Sequence, residues 1–422
     1  MDLFKTLKNA WRVPELRKKL IFTLWMFLII RLGAHITVPG INTEAITAMM
    51  NQNAGNVLNL MDVITGGAFK TMALFAFGVG PYITASIIMQ LLQIAITKLE
   101  ELAKEGEQGR KKINKITRYV TLGLAIVQAT ATTFTLSRQQ PSVLSDNTIW
   151  TFLVVVISFV AGSMLVMWIG EQITQKGVGN GMSLIIFVNI VSRFPQSFSL
   201  LFETKGYLIP IIILILFVLI IAFVVLMAQG ERRIAVQYAK RTAGRKVYGG
   251  QSQHIPIKVN LAGVLPIIFA MSIMNFPEII TNLFGGTKND IWATILNYLR
   301  WTTTVGAVIY VVLIFAFAFF YSTIAFNPIE IASNMKKGGG FIPGIRPGKP
   351  TSEYLSDVAT RITLLGAVCL AILAISPLAI QAAFNVQVAF SGTSILIVVG
   401  VALETLKQIE AQMLMRHYKG FL

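Results

Sequence analysis

Residues 56–92 read NVLNLMDVITGGAFKTMALFAFGVGPYITASIIMQLL, and where this stretch breaks decides the fold. It opens with a short apolar segment at 57–64, breaks at Gly66 and Gly67, and runs into a longer apolar helix interrupted by Gly78, Gly80 and Pro81. At about 1.5 Å per helical residue the first segment falls far short of a hydrocarbon core about 30 Å thick, whereas the second is long enough. One piece is therefore expected to enter without spanning, and the next to span with a break. Lipid cannot satisfy freed backbone groups, so a re-entrant piece needs protein or a water-filled cavity around it. An interfacial helix leading into an ordinary kinked span fits these residues equally well, because Gly and Pro are frequent in membrane helices.

The rest of the chain agrees with a membrane setting. Of its 422 residues 55% are hydrophobic and only 13% charged, and its mean hydropathy is +0.68, which excludes an ordinary soluble globular protein. The single cysteine, Cys369, lies in an apolar run, so neither a disulfide framework nor a thiolate metal cluster is expected. The opening residues MDLFKTLKNAWRVPELRKKL interleave charges with Leu, Phe and Trp and show no cleavage pattern, so residues 1–20 are read as a retained cytosolic helix.

Ten apolar runs are long enough to span, near 21–38, 73–95, 118–136, 150–169, 182–198, 208–228, 260–276, 304–326, 362–380 and 393–406. The fifth is the weakest, since Arg193 and Pro195 follow its strongly apolar part. Ten crossings put both termini on one side, and 29 of the 36 Lys and Arg residues fall on that side, which is therefore cytoplasmic. Three cytoplasmic loops are long, at 97–117, 229–259 and 327–360. The first mixes signs and reads as two solvated helix ends. The second carries seven basic residues against one Glu, and the third ends in GGGFIPGIRPGKPTSEY, where Gly and Pro leave Arg346 at a tip. Together the latter two suggest a docking face for a large partner, a protein or a structured RNA.

GVGPYI at 78–83 has an echo in AGVLPI at 262–267. Each lies in the second span of a five-span half, the arrangement that points to a path between two inverted repeats. No HExxH or GxSxG occurs, and GIRPGKP at 344–350 is too short for a phosphate loop. No enzyme activity, metal or cofactor is expected. Glu171, Glu278 and Glu404 sit near predicted span ends, and the lack of a midplane acid counts against the alternative reading, an ion-coupled secondary transporter.

GVGPYITASIIMQLL, MWIGEQITQKGVGNGMSLIIF, ERRIAVQYAKR with YGGQSQHIPIKVNLAGVLP, FIPGIRPGKPT and GTSILIVVGVALE closely resemble the SecY family, the channel subunits of bacterial Sec protein translocases. The resemblance runs in order over nearly the whole chain. It implies an all-α polytopic protein of ten transmembrane helices in two pseudo-symmetric five-helix halves, at 21–200 and 201–410, with a cytoplasmic tail at 411–422 and a re-entrant plug helix. It implies a channel of the bacterial plasma membrane that passes unfolded preproteins and releases transmembrane segments and signal sequences sideways into the membrane lipids. On this resemblance the pore ring is Val79, Ile83, Ile186, Ile268 and Ile397, and the plug spans about 56–68, with Val57, Leu58, Leu60, Met61, Val63 and Ile64 before the Gly66–Gly67 hinge. A lateral gate forms at the second and seventh spans, the third and eighth beside them, and Thr84, Gln128 and Ser272 match its polar cluster. The basic loops correspond to the docking site for the SecA motor ATPase and the ribosome, with Arg346 foremost and Arg232, Arg233, Lys240, Arg241, Arg245 and Lys246 in support. SecE and SecG are the implied small partner subunits.

Overall fold

The computed structural model describes residues 11–42, 46, 65–137, 143–146, 148–238, 241–243, 246–248, 253–261, 263–283, 290–299, 303–384 and 392–419. Val57, Leu58, Leu60, Met61, Val63 and Ile64 lie outside these residues, as do Lys240 and Arg245.

Helix α1 (Pro14–Gly33) is followed by a loop at residues 34–42, and a compact run of turns lies at residues 65–79. That run is tied to the loop by an isolated antiparallel bridge between Thr37 and Ala73. Helix α2 (Gly80–Ala95) follows, then the short α3 (Thr97–Lys104) at a bend of 101°. After Gly106, which turns at φ +77°, come α4 (Glu107–Ser137), α5 (Ile149–Lys176), α6 (Gly181–Lys205) and α7 (Leu208–Gln229). The chain then leaves the helices for strands β1 (Glu231–Tyr238), β2 (Arg241–Ala243), β3 (Lys246–Tyr248) and β4 (Gln253–Lys258). Helices α8 (Leu265–Leu283), α9 (Asp290–Leu299), α10 (Thr304–Ala325) and α11 (Pro328–Lys337), the short strand β5 (Gly340–Phe341), and helices α12 (Lys349–Phe384) and α13 (Gly392–Lys419) complete the order.

Each of the ten apolar runs falls on a helix. Among the described residues α4, α5, α6, α7, α10 and α12 contain segments long and apolar enough to cross a membrane alone, and the bent pair α2 and α3 makes a seventh. The outer face of α7, with Ile211, Ile215, Val218, Leu219 and Leu226 exposed, would be an aggregation surface in water and is an ordinary face toward lipid.

Two expectations change. The second span was expected from residue 73 with a break at Gly78–Pro81, but residues 73–79 form turns and the helix begins at Gly80. Pro81 thus sits in a first turn, where its missing N–H is no loss, and Gly78 takes a φ of +51° that a β-carbon would oppose. The seventh span behaves in the same way: Gly263 has φ +64° and α8 starts at Leu265, with Pro266 in its first turn. The two expected breaks inside helices are instead two helix starts. The second change is the pair of small antiparallel sheets in the loop regions, β4–β1–β5 and β2–β3, which the all-α reading of the fold did not include.

The fifth run proves sturdier than its composition. Asn180 caps α6 by accepting from the backbone N–H of Met182 at 3.1 Å and of Ser183 at 3.4 Å, and the helix passes through Pro195 to Lys205.

Helix packing in lipid gains little from the hydrophobic effect and depends on close van der Waals fit, so small residues mark the tight contacts. At Gly162 of α5 a β-carbon would fall inside the Leu74 carbonyl oxygen, so this helix lies directly on the backbone of the 65–79 turns. Gly162→Val is therefore expected to exceed the roughly 1–3 kcal/mol usual for overpacking, because a backbone carbonyl cannot rotate aside. The yield and thermal unfolding of the purified chain measure this, and a variant as stable as the parent would contradict the close approach.

Candidate functional site

The five residues expected at the waist as a pore ring come from four helices. Val79 is the residue before α2, Ile83 lies one turn into it, Ile186 is on α6, Ile268 on α8 and Ile397 on α13. Val79, 2% exposed, and Ile186, 7% exposed, belong to one apolar cluster against which Ile83 and Ile397 pack. Ile83 packs also against a second cluster, of Ile87, Phe269 and Tyr321, against which Ile268 packs too. Ile83 thus packs against both clusters, which together take in all five residues from regions more than 300 residues apart in sequence. Beside it a β-carbon on Gly80 would meet nothing within 4 Å, so the start of α2 faces open space.

One side of the waist carries the glycine pair. Gly66 (φ +70°) and Gly67 (φ +93°) take left-handed backbone that other residues resist. Arg31 at the end of α1 donates from Nη1 to the Gly66 carbonyl oxygen at 3.1 Å. A β-carbon on Gly66 would lie 2.6 Å from that nitrogen and 3.0 Å from Asn189 Cα, and one on Gly67 would lie 3.2 Å from Arg193 Nη1. Two arginines from α1 and α6 therefore brace the turn that joins residues 57–64 to the rest of the chain.

Helix α2 packs on α4, and α8 packs on both α4 and α10. Thr84 and Ser272 donate to carbonyls of their own helices, Gly80 at 3.2 Å and Ile268 at 2.8 Å, while Gln128 is half-buried on α4. A hydrogen bond between α2 and α10 is made elsewhere. The Tyr321 hydroxyl of α10 donates to Gln90 Oε1 of α2 at 3.1 Å, and Gln90 Nε2 donates to Ser86 Oγ at 3.3 Å.

The two basic loops are one unit. β1 pairs with β4 on one edge and with β5, from the other loop, on its other edge. Ile234 and Val236 point inward onto Ile257, Met335, Ile342 and Leu355, while Arg232 and Arg233 are exposed, Arg233 pairing with Glu231 at 2.7 Å. Arg241 and Lys246 fall on the β2–β3 hairpin. Arg346 is exposed on a built tip: Gly344 (φ +83°) and Gly348 (φ +111°) turn the chain on either side, Ile342 is buried, and the buried Thr351 hydroxyl donates to the Arg346 carbonyl at 2.8 Å.

The family model described as SecY matches residues 73–406, which include the waist, the seam and both basic loops. The chain belongs to the SecY family. The protein translocase subunit SecY of Thermotoga maritima is 43% identical over 428 residues, covering 100% of this chain and 98% of that one. At the level of fold the chain resembles Sec61 in the canine ribosome-channel complex from the endoplasmic reticulum, with a TM-score of 0.60 at 15% identity over 94% of this chain and 92% of that one. It also resembles a SecY protein described by its plug domain, which stabilises the closed state of the translocation channel and maintains a membrane seal. That likeness has a TM-score of 0.64 at 17% identity, over 94% of this chain and 92% of the other.

Sequence reading missed three features of this SecY-family chain. The strands had a visible signal, since RRIAVQY places Ile234 and Val236 two apart with polar neighbours. The bracing of the glycine pair had only a weak one, two arginines near expected span ends. The Tyr321–Gln90 bond had none, because pairing across 231 residues is invisible to periodicity.

Proposed function

We propose that this chain is the protein-conducting channel of a Sec translocase, passing unfolded secretory polypeptides across the plasma membrane and releasing transmembrane segments sideways into lipid. One observation carries the reading: aliphatic side chains from the start of α2, α6, α8 and α13 lie in or against two apolar clusters that meet at Ile83. Branched aliphatic groups at a constriction favour dewetting, which bars ions, yet they can part around a passing chain without binding any sequence tightly. Residues 57–64, hinged at the braced glycine pair, act as the plug that seals the waist at rest. The seam between α2 and α4 on one side and α8 and α10 on the other is the lateral gate, dividing halves at 21–200 and 201–410, with Thr84, Gln128 and Ser272 in its polar cluster. Helix burial in lipid drives an apolar segment through it at roughly 25 cal/mol per Å².

The joined basic loops face the cytoplasm together with both termini. They receive the SecA motor ATPase or the ribosome through Arg346, supported by Arg232, Arg233, Lys240, Arg241, Arg245 and Lys246, and SecE and SecG complete the membrane complex. No step of this mechanism requires a bound cofactor.

Single cysteines at Ile83, Ile186 and Ile268, after replacement of Cys369 by Ser, are expected to crosslink to a stalled secretory chain carrying a thiol-reactive probe, while lipid-facing positions such as Val218 do not. If none of the three crosslinks and a small solute protects them instead, the waist belongs to a carrier.

A further inference from the structure

Buried hydroxyls in the helices of this chain follow one habit. Thr23, Thr117, Thr121, Thr133 and Ser163 each donate to the carbonyl four residues back in their own helix. Ser322 of α10, 7% exposed, and Thr363 of α12, 5% exposed, depart from it. Their oxygens lie 2.6 Å apart and bond to each other, and among the described residues neither returns to a carbonyl of its own helix. Two hydroxyls carry two protons, and their mutual bond uses only one. The second proton has no acceptor among the described residues, in a buried place where an unmade bond is costly.

The pair borders a cavity of about 10 Å³, the room that one water molecule needs. The walls include Val259 and Asn260, on the way from β4 to α8, and the small residues Ala318, Gly366 and Ala367. A β-carbon on Gly366 would overlap the Val259 carbonyl oxygen, so this backbone lies directly against α12. The Val259 N–H donates to the Gly230 carbonyl at 2.9 Å, which closes the base of the three-stranded sheet beside the cavity. The bordering groups are all neutral, which suits water rather than an ion. We infer that the cavity is a binding site for one water molecule, which accepts the second hydroxyl proton and donates to oxygens of Val259 and Asn260. The water ties together α10, α12 and the connection from the sheet to α8 with bonds that apolar packing in lipid does not supply. The site stands independently of the channel reading above.

The direct test is a cryo-EM map of the full chain in lipid discs at a resolution that shows ordered water. Density within hydrogen-bond distance of Ser322 Oγ or Thr363 Oγ1 is expected. A map with waters elsewhere among the helices and none here overturns the site. Thermal unfolding gives an independent sign. Ser322→Thr keeps the hydroxyl and adds a methyl group that competes with water for the cavity. With water bound, the midpoint is expected to fall by about 1–3 °C. In a dry cavity the methyl group fills space and the midpoint rises, which overturns the inference. Ser322→Val combined with Thr363→Val has the same shape but removes the unsatisfied proton along with the water, so its midpoint is expected within about 1 °C of the parent. A fall in this pair as large as in Ser322→Thr would assign the loss to crowding and remove the water. A parent midpoint that depends on exchanging sodium for potassium at constant ionic strength, with no such dependence in the double variant, would give the cavity to a cation instead.

Discussion

Motor-driven export is expected to fall about a hundredfold or more in Arg346→Glu, the scale of reversing one member of an interfacial charge pair worth roughly 2–5 kcal/mol. The prediction is sharp because the tip is built independently of the side chain it displays. Gly344 and Gly348 supply the left-handed turns, Ile342 is buried in the loop core, and Thr351 holds the Arg346 carbonyl rather than its guanidinium. Substitution should therefore leave membrane insertion and thermal unfolding unchanged while uptake of preprotein into inverted vesicles collapses. Normal uptake in this variant would remove the tip from the docking face, and a fall in stability alongside it would assign the arginine to folding instead.

The second large effect concerns ions. Ile83→Asn places an amide where the two apolar clusters meet, and there it can hydrogen-bond water and relieve dewetting. Full burial of an isoleucine side chain is worth about 1.5–3 kcal/mol, and each 1.4 kcal/mol in a barrier is a factor of ten, so ion leak through the resting channel is expected to rise about ten- to hundredfold. Conductance of reconstituted vesicles measures it. A similar substitution at Val218, exposed on the outer face of α7, should leave the leak unchanged. Equal leak in the two variants would show that Ile83 does not line the barrier.

The helices that carry the ten apolar runs were legible because a hydrocarbon core imposes length and apolarity together, a demand few other structures meet. Their starts were less so. Gly78 and Pro81 read as a break inside a helix because sequence shows where a helix cannot continue, without showing whether it had begun. All five pore-ring residues were already apolar residues in apolar spans, indistinguishable by composition from dozens of others. Only the family motifs separated Ile186 from its fully buried neighbour Ile185. Thr84 and Ser272 show the converse: their polarity was visible, but hydroxyls in helices can return to a carbonyl four residues back, and both do. The cross-seam partner, Gln90, looked like one more tolerated polar group in a span.

The β1 ladder carries a consequence for how this family can vary. Side chains alternate across a strand with a period of two, so Ile234 and Val236 face the loop core only in the register that sets Arg233 opposite Pro256 and Ile234 opposite Ile255. A one-residue slip of β1 against β4 would turn Arg233 and Gln237 inward and expel both aliphatic anchors, and it would displace β5, which pairs on the same strand. β4 and β5 pair with β1 and are held to the same register. Length is thus frozen in all three strands, so natural insertions and deletions among relatives should avoid the eight residues of β1 and the segments that pair with it.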